Sequence, residues 1–282
     1  MIQGLASQYP VRRLCSVLEV SPSGYYQWHH RQSGPRARAN QQLLKHVQKV
    51  FALSRQTYGS PRIARLLQRQ LIPCSENRVA RLMRTHQLRA KSKRPFRPRT
   101  TDSRHLYGAA PNRLKDQTLS RINQAWAADI TYISTRSGWV YLAAVMDLFS
   151  RRIVGWSIGP SLHTSLVKEA LQQALAVRRP AAGLLHHSDR GFQYASSAFQ
   201  ALLATYQIIP SMSLRGNCYD NATMESFWST LKTELVHRHS FADLPQAGQA
   251  INDYIENFYN PKRLHSALDF NSPVDFEQHS TH

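Results

Sequence analysis

Apolar positions recur at helical spacing through the first third of the chain. Val11, Leu14, Cys15 and Leu18 form one stripe, and Ser21-Pro22 sets up a second helix, with a hydroxyl cap and a proline at the first helical position. Helix, short turn and capped helix is the plan of a helix-turn-helix, and equally of any αα-hairpin. Gly34 to Arg38 (GPRAR) reads as a linker. A second helical unit runs from about Asn40 to Leu88. Its stripes are Leu43, Leu44, Val47, Val50 and Phe51, then Ile63, Leu66 and Leu67 after the turn Tyr58-Gly59-Ser60-Pro61, then Val79, Leu82 and Met83 after a cap at Ser75.

From Gln124 the period changes. WAADITYI alternates, with Ala128, Ile130 and Tyr132 on one face and Asp129, Thr131 and Ile133 on the other. Turns separate it from WVYLAAVMD and RRIVGWSI, which predicts three antiparallel strands. A helix through Leu166, Val167, Ala170, Leu171, Ala174 and Leu175 follows, then the strand LLHHSD, a helix with Phe199, Leu202 and Leu203, and the strand IIPSM. The last stripe is Met224, Phe227, Trp228, Leu231 and Leu235. The order β-β-β-α-β-α-β-α predicts an α/β fold, a mixed five-stranded sheet with helices on both faces, preceded by all-α units.

Glu225 lies beside that last stripe, and Lys232 follows about 10 Å along the helix axis. On an isolated helix this would be a solvated acid and lysine flanking a core face. A β-α-β crossover changes the picture, because it can return the strand ending at Asp189 beside the strand carrying Asp129. Three converging carboxylates repel one another unless a cation sits among them. Hard oxygen donors without a Cys or His set favour Mg²⁺ or Mn²⁺ over Zn²⁺. Two such ions suit an in-line phosphoryl displacement. His187 reads more readily as a packed strand histidine than a catalytic one, Asp147 as a turn residue, and Gly191 as the turn after Asp189.

Charge divides the chain. Residues 1–120 hold 23 Lys and Arg against four acids, whereas residues 121–282 hold 13 against 13. The whole excess thus lies ahead of the α/β region and points to a polyanion partner, nucleic acid rather than membrane. Arg62 and Arg65 line one helix and Arg81 and Arg84 the next, spaced for phosphate contacts. Lys91, Lys93, Arg94 and Arg97 form an extended basic arm, in which Pro95 and Pro98 forbid a continuous helix. Three distant cysteines make neither a disulfide framework nor a zinc site. With no apolar run of membrane length and no leader at Met1, a soluble cytoplasmic protein is expected.

Asp129, 59 intervening residues, Asp189, 35 more and Glu225 is similar to the DDE spacing of retroviral-type integrases and related transposases. The strings WAADITYI, HSDRGFQY, SMSLRGNCYDNATMESFWSTLKTEL and YNPKRLHSAL resemble the OrfB transposases of bacterial insertion sequences with two overlapping reading frames. YPVRRLCSVLEVSPSGYYQW and TYGSPRIARLL resemble that family's helical DNA-binding regions, so the likeness covers almost the whole chain. It implies an RNase H-like core in which Asp129, Asp189 and Glu225 are catalytic metal ligands for Mg²⁺ or Mn²⁺, two ions per site, with Lys232 contacting DNA near the scissile phosphate. It also implies release of a 3′-OH at an element end and attack of that hydroxyl on a second phosphodiester. Asn260, Arg263 and His265 match the family's terminal motif, for which DNA contact and local bonding both stay open.

The implied partners are element-end and target double-stranded DNA, further copies of the chain in a synaptic complex, and an upstream reading-frame product. The expected division is a helix-turn-helix-like unit over 1–34, a second helical unit over 40–88, a basic arm over 89–120, the catalytic core over 121–240 and a helical extension over 241–282. A catalytically silent DNA-binding regulator and an RNase H-like nuclease are the alternatives.

Overall fold

Pro22 and Pro35 each open a helix, a position whose N–H has no intrahelical partner in any case. The structure is a computed structural model, and its described residues are 1–29, 34–90, 110–115, 117–213 and 222–280. Two compact units result, Met1–Leu53 with Tyr58–Arg89, and Ser54–Thr57 with Ala90–His282.

The first unit is all helix: α1 (Ile2–Leu5), α2 (Val11–Val17), α3 (Pro22–His29), α4 (Pro35–Leu53), α5 (Ser60–Arg69) and α6 (Glu76–Thr85). Ser21 Oγ accepts from Gly24 N at 3.3 Å, and Ser75 Oγ accepts from Arg78 N at 3.3 Å, so both caps form as their residue types require. The linker expected at Gly34–Arg38 is corrected: α4 starts at Pro35 and runs through it. Pro35 fits a first turn, and the Arg and Ala residues after it are good helix formers. Leu43, Val47 and Val50 of α4 are buried with Ile63 and Leu67 of α5 and Val79 and Leu82 of α6.

The second unit is a five-stranded sheet of order β3-β2-β1-β4-β5, built from β1 (Ala125–Thr135), β2 (Gly138–Asp147), β3 (Ile153–Gly159), β4 (Leu185–Ser188) and β5 (Ile209–Met212). β1, β2 and β3 are antiparallel, while β4 runs parallel to β1 and β5 parallel to β4. Between β3 and β4 lies α7 (Thr164–Arg178). α8 (Phe192–Ala195) and α9 (Ser197–Thr205) precede β5, and α10 (Ala222–Glu234), α11 (Leu244–Tyr254) and α12 (Pro273–Ser280) follow it. The central strand β1 is buried along both faces of its first half, as a strand covered on two sides must be.

One face packs Trp126, Ala128, Val145 and Val154 against Leu166, Ala170 and Leu171 of α7 and Phe199 of α9. Gly155 makes the close approach of α7 possible, since a Cβ there would meet the Ala170 carbonyl oxygen and lie 2.7 Å from Ala174 N. On α10, Met224, Phe227, Trp228 and Leu231 are buried, with Phe227 edge-on to Tyr259 at 4.9 Å. Asn260 matches the backbone of β3 with two bonds, accepting from Ile153 N at 3.0 Å and donating to Ile153 O at 2.9 Å. Asp147 is fully buried and takes N–H bonds from Asn123, Phe149 and Ser150 at 2.7, 2.9 and 3.3 Å. It is the turn residue that its position suggests.

His186 lies beneath this sheet against Phe199, ring centroids 5.3 Å apart, and its Nε2 has no hydrogen-bond partner. Burial, aided by the neighbouring His187, lowers its pKa from 6.5 to about 3. The unfolded chain therefore binds this proton first. Its contribution is complete above the unfolded pKa and is lost as pH falls, by roughly 2 kcal/mol between pH 7 and 5. We expect His186→Phe to remove that share of acid sensitivity. Urea denaturation of wild type and variant at the two pH values measures it.

Candidate active site

Asp129 lies mid-way along β1, and Asp189 one residue beyond the end of β4. The parallel register pairs Ala128 with Ser188, so each aspartate is the next residue past that pair. Asp129 Oδ1 accepts from Ile130 N at 2.8 Å, and its Oδ2 accepts from Trp228 Nε1 at 2.9 Å. Asp189 Oδ1 accepts from Gly191 N at 2.9 Å. Gly191 has φ −60°, so left-handed freedom is not what its position needs. Space is: a Cβ there would lie 2.9 Å from that same Oδ1.

α10 supplies the third acid. Glu225 is exposed on its first turn. The helix is held at both ends. Arg151 Nη1 donates to Thr223 Oγ1 at 2.7 Å, and at the far end Glu234 takes Arg263 Nη2 at 2.8 Å, Arg263 Nε at 2.9 Å and Tyr254 Oη at 2.7 Å. Lys232 is half-buried, with Nζ 4.8 Å from the centre of the Tyr132 ring. Burial lowers its pKa, and the charge of Asp129 opposes that.

The electrostatics centre on Asp129. Its pKa is raised from 3.8 to about 7: burial is the largest cause, the charge of Asp189 adds to it, the Ile130 and Trp228 bonds oppose it, and Glu225 adds a smaller upward push. All three acids therefore share one field. They are not gathered into a ready coordination sphere, since among the described residues no group of three or more His, Cys, Asp and Glu stands close enough to hold a metal ion. In donor chemistry the trio still fits a hard divalent cation, whose charge offsets the burial and the carboxylate repulsion that raise Asp129.

Two residues around the aspartates were not singled out from sequence as parts of the site. Trp228 was legible only as one member of an apolar stripe, yet its indole N–H fixes one oxygen of Asp129. Tyr194 is buried with an unpartnered hydroxyl, its pKa pushed well up by burial and by the charges of Asp129 and Asp189. The string HSDRGFQY contains it, but nothing in an apolar period marks a buried phenol that feels the charge of two acids. His187 is a packed histidine, bonded through Nδ1 to Ser211 Oγ at 2.9 Å and through Nε2 to Ser213 Oγ at 3.0 Å.

The basic residues divide into three groups. Arg65, Arg81 and Arg84 are exposed on α5 and α6, and Arg62 is half-buried with its guanidinium 5.6 Å from the Tyr58 ring. Lys91, Lys93, Arg94 and Arg97 lie outside the described residues, as do residues 214–221 ahead of α10. Arg263 is bonded within the fold. Only 6 % of its side chain is exposed, and its guanidinium grips Glu234. Burial by itself would lower its pKa; the bonds to Glu234 and that residue's charge outweigh it and hold the group above its ordinary value. A cation bonded in this way braces α10, which is the local bonding left open for it in the sequence.

Comparison with known proteins places this geometry. Integrase core domain families match residues 120–218 and 206–273, and the HTH-like domain family matches residues 38–96. Transposase InsF for insertion sequence IS3A of Escherichia coli strain K12 is 39% identical, over 96% of this chain and 95% of that protein. The chain belongs to the IS3-type insertion-sequence transposases. An insertion element IS600 protein of 31 kDa from Shigella sonnei is 41% identical over 94% of this chain and 97% of its own length. Among solved structures, the simian T-cell lymphotropic virus intasome in complex with a PP2A regulatory subunit aligns with TM-score 0.50 and 16% identity, covering 82% of this chain and 74% of that one. At that identity the likeness speaks for the integrase-type fold, with the helical HTH-like region ahead of an RNase H-like sheet. No helix among the described residues is long and apolar enough to cross a membrane.

Proposed function

We propose that this transposase cleaves DNA at the ends of its element to expose a 3′-OH and joins that hydroxyl to a second phosphodiester. The observation that carries the reading is the carboxyl field around Asp129, raised to about 7 by burial, Asp189 and Glu225. Asp129, Asp189 and Glu225 would hold Mg²⁺ or Mn²⁺, as a pair of ions. When bound, such ions stabilise the attacking and leaving oxygens of an in-line displacement. Trp228 keeps the Asp129 carboxylate turned toward the site, and the two braces on α10 limit where Glu225 can reach. Lys232 would meet a phosphate beside the scissile one.

DNA is the partner that the charge division supports, with double-stranded element ends and target DNA held through Arg62, Arg65, Arg81 and Arg84 and the arm carrying Lys91, Lys93, Arg94 and Arg97. Replacing Arg81 and Arg84 together by alanine is expected to flatten the slope of log affinity against log salt by about 2. Filter binding across a salt series reads this. We divide the chain as 1–34 and 40–88 for DNA contact, 89–120 as the arm, 121–240 for catalysis and 241–282 as the extension that braces α10. Bringing two ends together calls for more than one copy, and an upstream reading-frame product is a further candidate partner; nucleoid DNA in the cytoplasm is the expected location.

The test is incubation of the purified protein with labelled element-end duplex and Mg²⁺. Nicking at the end followed by joining, both stopped by EDTA, supports the proposal. Tight binding without cleavage would instead identify a DNA-binding regulator that keeps the fold. Cleavage of RNA–DNA hybrids in preference to element ends would identify a nuclease.

A further inference from the structure

We propose that Tyr132 and Trp139, with Lys232, form a stacking site for an unpaired nucleobase of the DNA substrate. This inference rests on the strand-transfer reading. Tyr132 is 50% and Trp139 57% exposed, and their rings meet edge to face with centroids 5.2 Å apart. In the β1–β2 register Ser134 pairs with Trp139 and Tyr132 with Tyr141, which puts the two rings on one face as diagonal neighbours.

A diagonal aromatic pair stabilises a hairpin by itself, but it has no need of a cation. Here α10 delivers one, with Lys232 Nζ 4.8 Å from the Tyr132 ring centre, and Arg136 at the hairpin tip is exposed. Flat π faces beside positive charge are the combination that holds a base and its phosphate together. Beyond the half-buried Tyr141 opposite Tyr132, the surface of the hairpin is polar. Ser134, Arg136 and Ser137 between the two rings are polar and exposed, which leaves too little apolar surface for a stable protein interface.

The backbone of the hairpin that carries the rings is held in place by hydrogen bonds. Thr135 Oγ1 donates to Gly138 O at 2.7 Å, Arg136 N to Phe241 O at 2.9 Å, and Ser137 N to Ala242 O at 3.1 Å. Ordering in advance lowers the cost of binding. Tyr132 follows Asp129 by three residues, about 10 Å along the strand and on its other face, and Lys232 of α10 stands at its ring.

The experiment uses the full chain and two duplexes of the element's end, one fully paired and one with three mismatched terminal pairs, compared by fluorescence anisotropy without Mg²⁺. Trp139→Ala is expected to weaken binding of the mismatched duplex roughly 5- to 150-fold and to change the paired duplex by less than about twofold. Trp139→Phe keeps most of the preference; Trp139→Leu, which stays apolar, loses it. Equal loss on both duplexes, loss on neither, or Trp139→Leu matching Trp139→Phe would overturn the proposal. So would a change confined to the oligomeric state in sedimentation, which would mark the rings as a contact between copies. Cleavage by wild type in Mg²⁺ is followed alongside. Cleavage without discrimination between the duplexes sinks the stacking site alone, and discrimination without cleavage sinks the strand-transfer reading alone.

Discussion

Asp129→Asn is expected to slow strand cleavage by on the order of 10³-fold or more, the several kcal/mol that a bound cation contributes at a phosphoryl transition state. Element-end binding should persist, because the basic helices of the first unit make no use of this carboxyl. Asparagine keeps the shape but only one acceptor oxygen, so one of the Ile130 and Trp228 bonds, which use separate carboxylate oxygens, loses its partner. A urea midpoint for the variant separates that stability cost from the loss of the metal ligand. Trp228→Phe tests the same account at lower amplitude. It removes the donor at 2.9 Å from Asp129 Oδ2 and leaves an aromatic ring in place, with an expected loss of about 10- to 100-fold in metal affinity or rate. Single-turnover cleavage of labelled duplex across a Mg²⁺ series separates the two variants: Trp228→Phe is partly recovered at high Mg²⁺ and Asp129→Asn is not.

Arg263→Ala is expected to destabilise the second unit by about 3–5 kcal/mol, because it leaves the Glu234 carboxylate buried without its cation. Only 8 % of the Glu234 side chain is exposed, and its remaining partner, Tyr254 Oη at 2.7 Å, carries no charge. Pairing Glu234→Leu with Arg263→Met should restore much of that loss, since apolar pairs often replace buried ion pairs at little cost. A residue serving only DNA contact would behave otherwise: Arg263→Ala would weaken DNA binding and leave the urea midpoint unchanged. Urea denaturation of the two variants beside wild type decides between these outcomes. The consequence for catalysis is indirect. Glu234 ends the helix that carries Glu225, so loosening it frees the third acid to wander.

The sheet was legible because its strands advertise themselves in two ways. WAADITYI and its two successors alternate and are spaced for hairpins, and LLHHSD and IIPSM are short apolar runs between helical stripes. The parallel return of β4 beside β1 follows from crossover geometry, so the adjacency of Asp129 and Asp189 was readable before any coordinates. Interactions that depend on a distant partner were not. Arg263 and Glu234 are 29 positions apart, and nothing in either local pattern says that one buries the other. For Asn260, likewise, the sequence leaves DNA contact and local bonding open until Ile153 is found beside it. The GPRAR segment was misread because glycine and proline also mark the start of a helix, and α4 begins at that proline. Trp228 shows the same limit within one helix: periodicity reports which face is buried, not which buried atom donates a bond.

That Asp129, Asp189 and Glu225 share a divalent cation is the claim on which the rest depends, and calorimetric titration of the protein–DNA complex with Mn²⁺ tests it most directly. Wild type is expected to bind the ion with a clear heat, and Asp129→Asn and Glu225→Gln each to weaken that binding at least tenfold, about 1.4 kcal/mol. Binding that neither substitution alters, or its absence from the wild-type complex, would contradict the account.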